Sequence, residues 1–169
     1  MAGITCIIQC RYSVKNTFAI GVASNATLHC GSPGFKWVDR GKVIQSVPGR
    51  DNWNAIDPNL VTDKNYIPWL VFGSFWGGIK MVQLDTGFTA VPQPEMWHTV
   101  AARKRNVTIA DTLAGDAAIE ATFIYRHNNY YYLSVSFDYC CRGANSTYNV
   151  RVGRSTKVEG PYFDREELP

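Results

Sequence analysis

DPNLVTDKNYIPWLVFGSF, residues 57–75, and EATFIYRHNNYYYLSVSFD, residues 120–138, are two versions of one pattern. Each opens on a carboxylate, runs through a short apolar strand, turns over a polar Lys-Asn or Asn-Asn stretch, and returns as an aromatic strand. Asp57 precedes Trp69 by twelve residues, Glu120 precedes Tyr132 by the same twelve, and the two carboxylates stand 63 residues apart. A spacing kept over this length marks a repeated unit, and a repeat decides the fold before any single strand does.

Working outward, a third strand follows each copy: GIKMVQLD (78–85) after the first and YNVRVGRS (148–155) after the second. FAIGVASNATL (18–28) resembles the latter, and ITCIIQCRYS (4–13) reads as the aromatic strand of a still earlier copy. The expected fold is therefore all-β, about two and a half to three blades of a β-propeller, with approximate blades at 1–50, 51–115 and 116–169. Units of three or four short antiparallel strands repeating every ~40–65 residues are the mark of propeller blades. A β-sandwich also offers regular short strands and is the alternative. Residues 110–121 have a helical composition, but their neighbours make them a loop entering a strand.

Composition agrees with this class. The chain has 169 residues, 46% of them apolar, with five Trp, nine Tyr and eight Phe, and with 14 Gly and 8 Pro to supply turns. A net charge of +3 with one basic triplet, Arg103-Lys104-Arg105, gives no basic face for nucleic acid, and the triplet reads as a solvated loop. No run reaches the ~18–20 apolar residues of a membrane helix. MAGITCIIQC lacks the basic and long apolar regions of a secretory signal. Three N-x-[ST] sequons begin at Asn25, Asn106 and Asn145. The five cysteines contain no CxxC pair, so neither a zinc site nor a disulfide framework is expected. Cys140 and Cys141 would face opposite sides of an extended strand and read as packing residues with a local role in a bend.

The repeat has a chemical consequence. If Asp57 and Glu120 open the innermost strands of successive blades, both side chains face one cleft. Glycoside hydrolysis needs a carboxylic acid to protonate the departing oxygen and a carboxylate acting as base or nucleophile, and a further acid nearby can hold the donor's pKa up. The apolar frame Ala118-Ile119-Glu120-Ala121 desolvates Glu120 and suits it to be the donor. Phe72-Gly73-Ser74-Phe75-Trp76-Gly77-Gly78 sets aromatic residues beside small ones at a strand end, where a sugar face can stack and glycines admit a close approach. Phe72 reads as core.

Taken together and in order, Asn54-Ala55-Ile56-Asp57-Pro58-Asn59-Leu60, Phe72-Gly73-Ser74-Phe75-Trp76, Ala118-Ile119-Glu120, Tyr130-Tyr131-Tyr132-Leu133, Cys140-Cys141-Arg142-Gly143, Ser146-Thr147-Tyr148 and Gly153-Arg154-Ser155 resemble the endo-1,5-α-L-arabinanases of glycoside hydrolase family 43. The resemblance implies a five-bladed propeller that hydrolyses α-1,5-linked arabinan with inversion. It makes Glu120 the general acid and Asp57 the residue that orients it and modulates its pKa. Asn54, Ala55, Ile56, Asp57, Ser74, Phe75 and Trp76 match positions that line the sugar sites. It implies arabinan or arabino-oligosaccharide as the partner, secretion of full-length members, and in many of them a calcium or similar ion held by a histidine of a later blade. His127, expected in a turn, does not match that ligand, and no cofactor is expected of this chain. The family's general base, an Asp in a His-Asp-Pro stretch of the first blade, has no counterpart here, so the resemblance implies a fragment lacking its base. A non-catalytic carbohydrate-binding remnant is the alternative.

Overall fold

A computed structural model describes residues 4–11, 17–105 and 117–166. They form three antiparallel sheets, each made of strands consecutive in the chain. The first contains β1 (Ile4–Arg11), β2 (Phe18–Asn25) and β3 (Val38–Gln45). The second contains β4 (Asn59–Thr62), β5 (Pro68–Phe72), β6 (Ile79–Gln83) and β7 (Trp97–Ala101), and the third β8 (Ile119–His127), β9 (Tyr130–Phe137) and β10 (Asn149–Ser155). Within each sheet every strand pairs with the one before it, a meander rather than the crossed connections of a Greek-key sandwich. The helical composition of residues 110–121 falls partly outside the described residues; from Ile119 onward the chain is strand.

Why these sheets stack is written in β5. All five of its residues are buried, and because side chains alternate across a strand they go to two different cores. Trp69 and Val71 join Val61, Ile79 and Met81 of their own sheet and Ile119, Ile124, Tyr131, Leu133 and Val135 of the third. Leu70 and Phe72 join Val82 and Leu84, Trp53 and Ala55, and Ile20 and Ile44 of the first sheet. The second sheet is thus covered on both faces. Phe72 is core, as its sequence context predicts, and meets Trp53 edge-on at 5.2 Å and Trp97 at 5.9 Å between ring centroids.

Two expectations need correction. Cys140 and Cys141 are not opposed residues of a strand: they lie beyond the end of β9 and are joined to each other by a disulfide. The backbone turns there, with Cys141 at φ 66°, and this removes the alternation that would have kept the two side chains apart. Arg103 is not simply solvated either. It donates to Asp138 at 2.7 Å and to the Ala118 carbonyl at 3.0 Å, and lies over the Phe137 ring at 4.4 Å. Of the sequons, Asn25 is buried with its carbonyl oxygen accepting from the Lys36 amide, Asn145 is exposed in a 3-10 turn, and Asn106 lies outside the described residues. No helix among the described residues is long and apolar enough to cross a membrane.

Candidate active site

Asp57 ends the segment leading into β4, and Glu120 is the second residue of β8. These are the first strands of successive sheets, as the repeat requires. Two bonds bring the strands together. The Ala121 amide donates to Asp57 Oδ2 at 3.1 Å, and the Ile124 amide donates to Asn59 Oδ1 at 2.8 Å. β8 can spare the Ala121 amide because its pairing with β9 is interrupted by a bulge between Glu120 and Phe123. Asp57 therefore grips the backbone beside Glu120 directly.

Burial raises both carboxyl groups. For Glu120 desolvation dominates, the Tyr148 hydroxyl pulls the pKa down, and the charge of Asp57 pushes it further up. For Asp57 desolvation again dominates, against the lowering by the Ala121 N–H. In this window the folded chain holds more protons than the unfolded chain. The stability associated with the pair is therefore fully present below the ordinary carboxylate range and is lost as pH rises through the raised values. Glu120→Gln and Asp57→Asn should each raise the thermal midpoint near neutrality and do so less at pH 4. Melting curves at the two pH values check this, and an equal shift at both would refute it.

The segment from Trp53 to Ile56 is stitched to the turn that follows β5. Asn54 Nδ2 donates to Ser74 Oγ at 2.7 Å, the Asn54 amide to the Ser74 carbonyl at 3.3 Å, and the Gly73 amide to the Ile56 carbonyl at 2.9 Å. From the first sheet, Ser46 Oγ accepts from the Ala55 amide at 3.2 Å. Across the site, the Phe75 amide donates to the Ile119 carbonyl at 3.1 Å, tying the aromatic turn to the residue before Glu120. All the candidate residues are thus gathered in one region, at two depths. Asn54, Ala55 and Ser74 are buried and form its backing, whereas Ile56, Asp57, Phe75, Trp76 and Glu120 are partly exposed.

Packing also requires a glycine in this turn. A Cβ on Gly78, at φ 77°, would run into the Ala101 carbonyl oxygen, so the chain entering β6 lies close against the end of β7 there. Phe75 and Trp76 meet edge to face at 5.9 Å. Asp57, Phe75 and Ala121 all hold positive φ, at 54°, 55° and 53°. With Ala121 bonded to Asp57 and Phe75 bonded to Ile119, these non-glycine residues mark a region where local comfort has yielded to geometry. Two buried atoms here, Asn54 Oδ1 and Trp76 Nε1, have no hydrogen-bond partner among the described residues.

Sequence reasoning overlooked Tyr148, whose hydroxyl donates to Glu120 Oε1 at 3.2 Å. Its signal was present as part of the Ser146-Thr147-Tyr148 motif, but only the turn back from β9 into β10 brings it to Glu120. His127 sits at the exposed end of β8 rather than in the turn, stacked on Tyr125 at 6.3 Å. Among the described residues no group of three or more His, Cys, Asp or Glu gathers. Two clefts of about 440 and 460 Å³ flank Arg154 and Phe163 beside β10; neither is lined by Asp57 or Glu120.

Residues 8–169 match the family described as Glycosyl hydrolases family 43. The chain belongs to this family. It is 50% identical over 151 residues to an extracellular exo-α-(1→5)-L-arabinofuranosidase, ArbA, of Cellvibrio japonicus, covering 89% of this chain and 44% of that protein. It is 45% identical over 158 residues to an extracellular endo-α-(1→5)-L-arabinanase of Bacillus subtilis, covering 91% of this chain and 44% of the relative. A solved Cellvibrio cellulosa α-L-arabinanase in complex with arabinohexaose superposes with a TM-score of 0.92 at 45% identity, covering 98% of this chain and 53% of that one. This family 43 chain thus spans about half the length of the relatives it matches. Its three sheets are a portion of a five-bladed β-propeller.

Proposed function

We propose that this chain forms the general-acid side of a site that hydrolyses α-1,5-linked arabinan with inversion, in the interior of the polymer. Glu120 protonates the departing glycosidic oxygen. Burial raises the Glu120 pKa towards that role, and Asp57 orients the Glu120 backbone and adds charge repulsion. Ile56, Phe75 and Trp76 offer apolar surface to the arabinose rings, and Asn54, Ala55 and Ser74 hold that surface in place. The observation that carries this reading is the convergence of Asp57 and Glu120 from successive sheets through the Ala121 amide, with burial raising both pKa values. The relatives support the substrate class, one being named for exo and another for endo action on α-(1→5)-linked arabinose polymers.

A second reading, a carbohydrate-binding chain without turnover, is favoured by one observation. Among the described residues, the carboxylate charge bearing on Glu120 is that of Asp57. Inversion needs a carboxylate that activates water across the ring, ~6.5–9.5 Å from the acid, and Asp57 is committed to the Ala121 amide. The test is to incubate the purified chain with linear α-1,5-arabinan, measure released oligosaccharides, and titrate arabinohexaose by tryptophan fluorescence. Turnover abolished by Glu120→Gln supports the first reading, and binding without turnover the second. In either case Trp76→Ala should weaken binding by roughly tenfold, ~1.4 kcal/mol. Neither binding nor turnover would overturn both.

A further inference from the structure

The loop from Asp138 to Asn149 is fastened at more points than a connection between two strands requires. At its start, Asp138 takes the Arg103 guanidinium at 2.7 Å and the side-chain amide of Asn149 at 3.0 Å, while its own amide donates to the Ala118 carbonyl at 3.1 Å. At its neck, the Thr147 amide donates to the Tyr139 carbonyl at 3.0 Å, and the Tyr139 amide donates to Thr147 Oγ1 at 3.4 Å. Within it, Cys140 is bonded to Cys141, and the Arg142 amide donates to Ser146 Oγ at 3.0 Å. Asn149 closes the loop by pairing with Phe137 and by donating to the Thr147 carbonyl at 3.0 Å. Thr147 and Asn149 are therefore both fixed, and the residue between them is Tyr148.

Tyr148 uses that fixity on one group. Its hydroxyl donates to Glu120 Oε1 at 3.2 Å, and the buried Ser136 pairs across the strands with Glu120 itself. A phenol has one proton to give. That proton points at Oε1, and a protonated Glu120 carries its own proton on Oε2. We propose that Tyr148 is a positioning residue: it fixes the Glu120 side chain and selects Oε2 as the oxygen that bears the transferable proton. The role rests on the reading of Glu120 as a proton donor, but its structural content does not depend on substrate.

The sign of the effect follows from the donor's preference for the charged partner. A hydroxyl donating to a carboxylate stabilises the ionised form and lowers its pKa. It opposes burial and the charge of Asp57, the carboxylate facing Glu120 from the segment before β4. In Tyr148→Phe the ring remains and the donor is lost, so Glu120 should titrate at higher pH.

The test is a carbon-detected NMR titration of the side-chain carboxyls in the 169-residue chain, Glu120 being assigned by its absence in Glu120→Gln. In the unsubstituted chain, the Tyr148 Cζ signal should inflect at the Glu120 midpoint, because the two groups share a proton contact. Confirmation is that inflection together with an upward Glu120 midpoint in Tyr148→Phe. A Tyr148 signal blind to Glu120 ionisation, or a Glu120 midpoint unmoved in a Tyr148→Phe chain with an otherwise unchanged amide spectrum, overturns the proposal. Should Tyr148→Phe fail to fold, the Cζ inflection alone decides. The outcome is separable from that of the arabinan reading, since no sugar is present: a coupled pair in a chain that neither binds nor cleaves arabinan would uphold this inference while removing that one.

Discussion

Glu120→Gln is expected to lower kcat on linear α-1,5-arabinan by about 10²–10⁴-fold in any form of the protein that turns this substrate over, with the affinity for arabino-oligosaccharides nearly unchanged. Glutamine keeps the shape of the side chain and an acceptor for the Tyr148 hydroxyl, but carries no proton acidic enough to transfer. The departing furanosyl oxygen is a poor leaving group without one, so the barrier rises while the ground-state contacts persist. The pH dependence should change with it. In a parent that turns the substrate over, activity should fall on the alkaline side as Glu120 ionises, at a pH above the ordinary carboxylate range because of burial and of Asp57. In Glu120→Gln that limb should vanish from the residual rate. Initial rates of oligosaccharide release across pH, beside arabinohexaose binding at one pH, measure both parts. A variant with parental kcat would remove Glu120 from the chemistry.

The largest effect on stability is expected from Phe72→Ala, a loss of about 3–5 kcal/mol. Phe72 is fully buried, in contact with Trp53 and Trp97, and between two sheets that have little room to collapse into the space it would leave. The damage should not stay in the core. Trp53 begins the strip that runs through Asn54, Ala55 and Ile56 to Asp57, and Phe72 begins the turn whose Gly73 amide bonds the Ile56 carbonyl. Loosening the ring therefore loosens the backbone that aims Asp57 at Ala121. Denaturant unfolding should show the midpoint shift, and the Glu120 titration should move downward as Asp57 withdraws. A stable variant with an unaltered Glu120 would show that the two cores are independent of the site.

Much of this was readable in the chain itself, because a repeat carries information that a single strand does not. The twelve-residue interval from carboxylate to aromatic strand fixed which residues open a blade, and the structure sets Asp57 and Glu120 where that interval implies. What could not be read depended on turns. Cys140 and Cys141 pair because the backbone leaves the extended conformation there, and nothing in the spacing of two adjacent residues reveals it. Arg103 reaches Asp138 across 35 residues and Tyr148 reaches Glu120 across 28, contacts made only after strands have folded back. The glycines at 77 and 78 read as open ground for a ligand, yet the space beside them is filled by the Asn52 side chain and by the backbone after β7. Burial likewise divides by depth the sugar-lining candidates that the resemblance implies, Asn54, Ala55 and Ser74 being buried and Ile56, Phe75 and Trp76 partly exposed, a division that the motif does not carry.

One consequence of β5 reaches beyond the site. Its alternating residues belong to two cores at once, so neither core can open while the other stays intact without exposing one side of the same strand to water. Among the described residues the first and third sheets contribute to different cores, and β5 and β6 of the sheet between them complete both. Unfolding should therefore be cooperative across all three sheets, with the amides of β5 among the last to exchange with solvent.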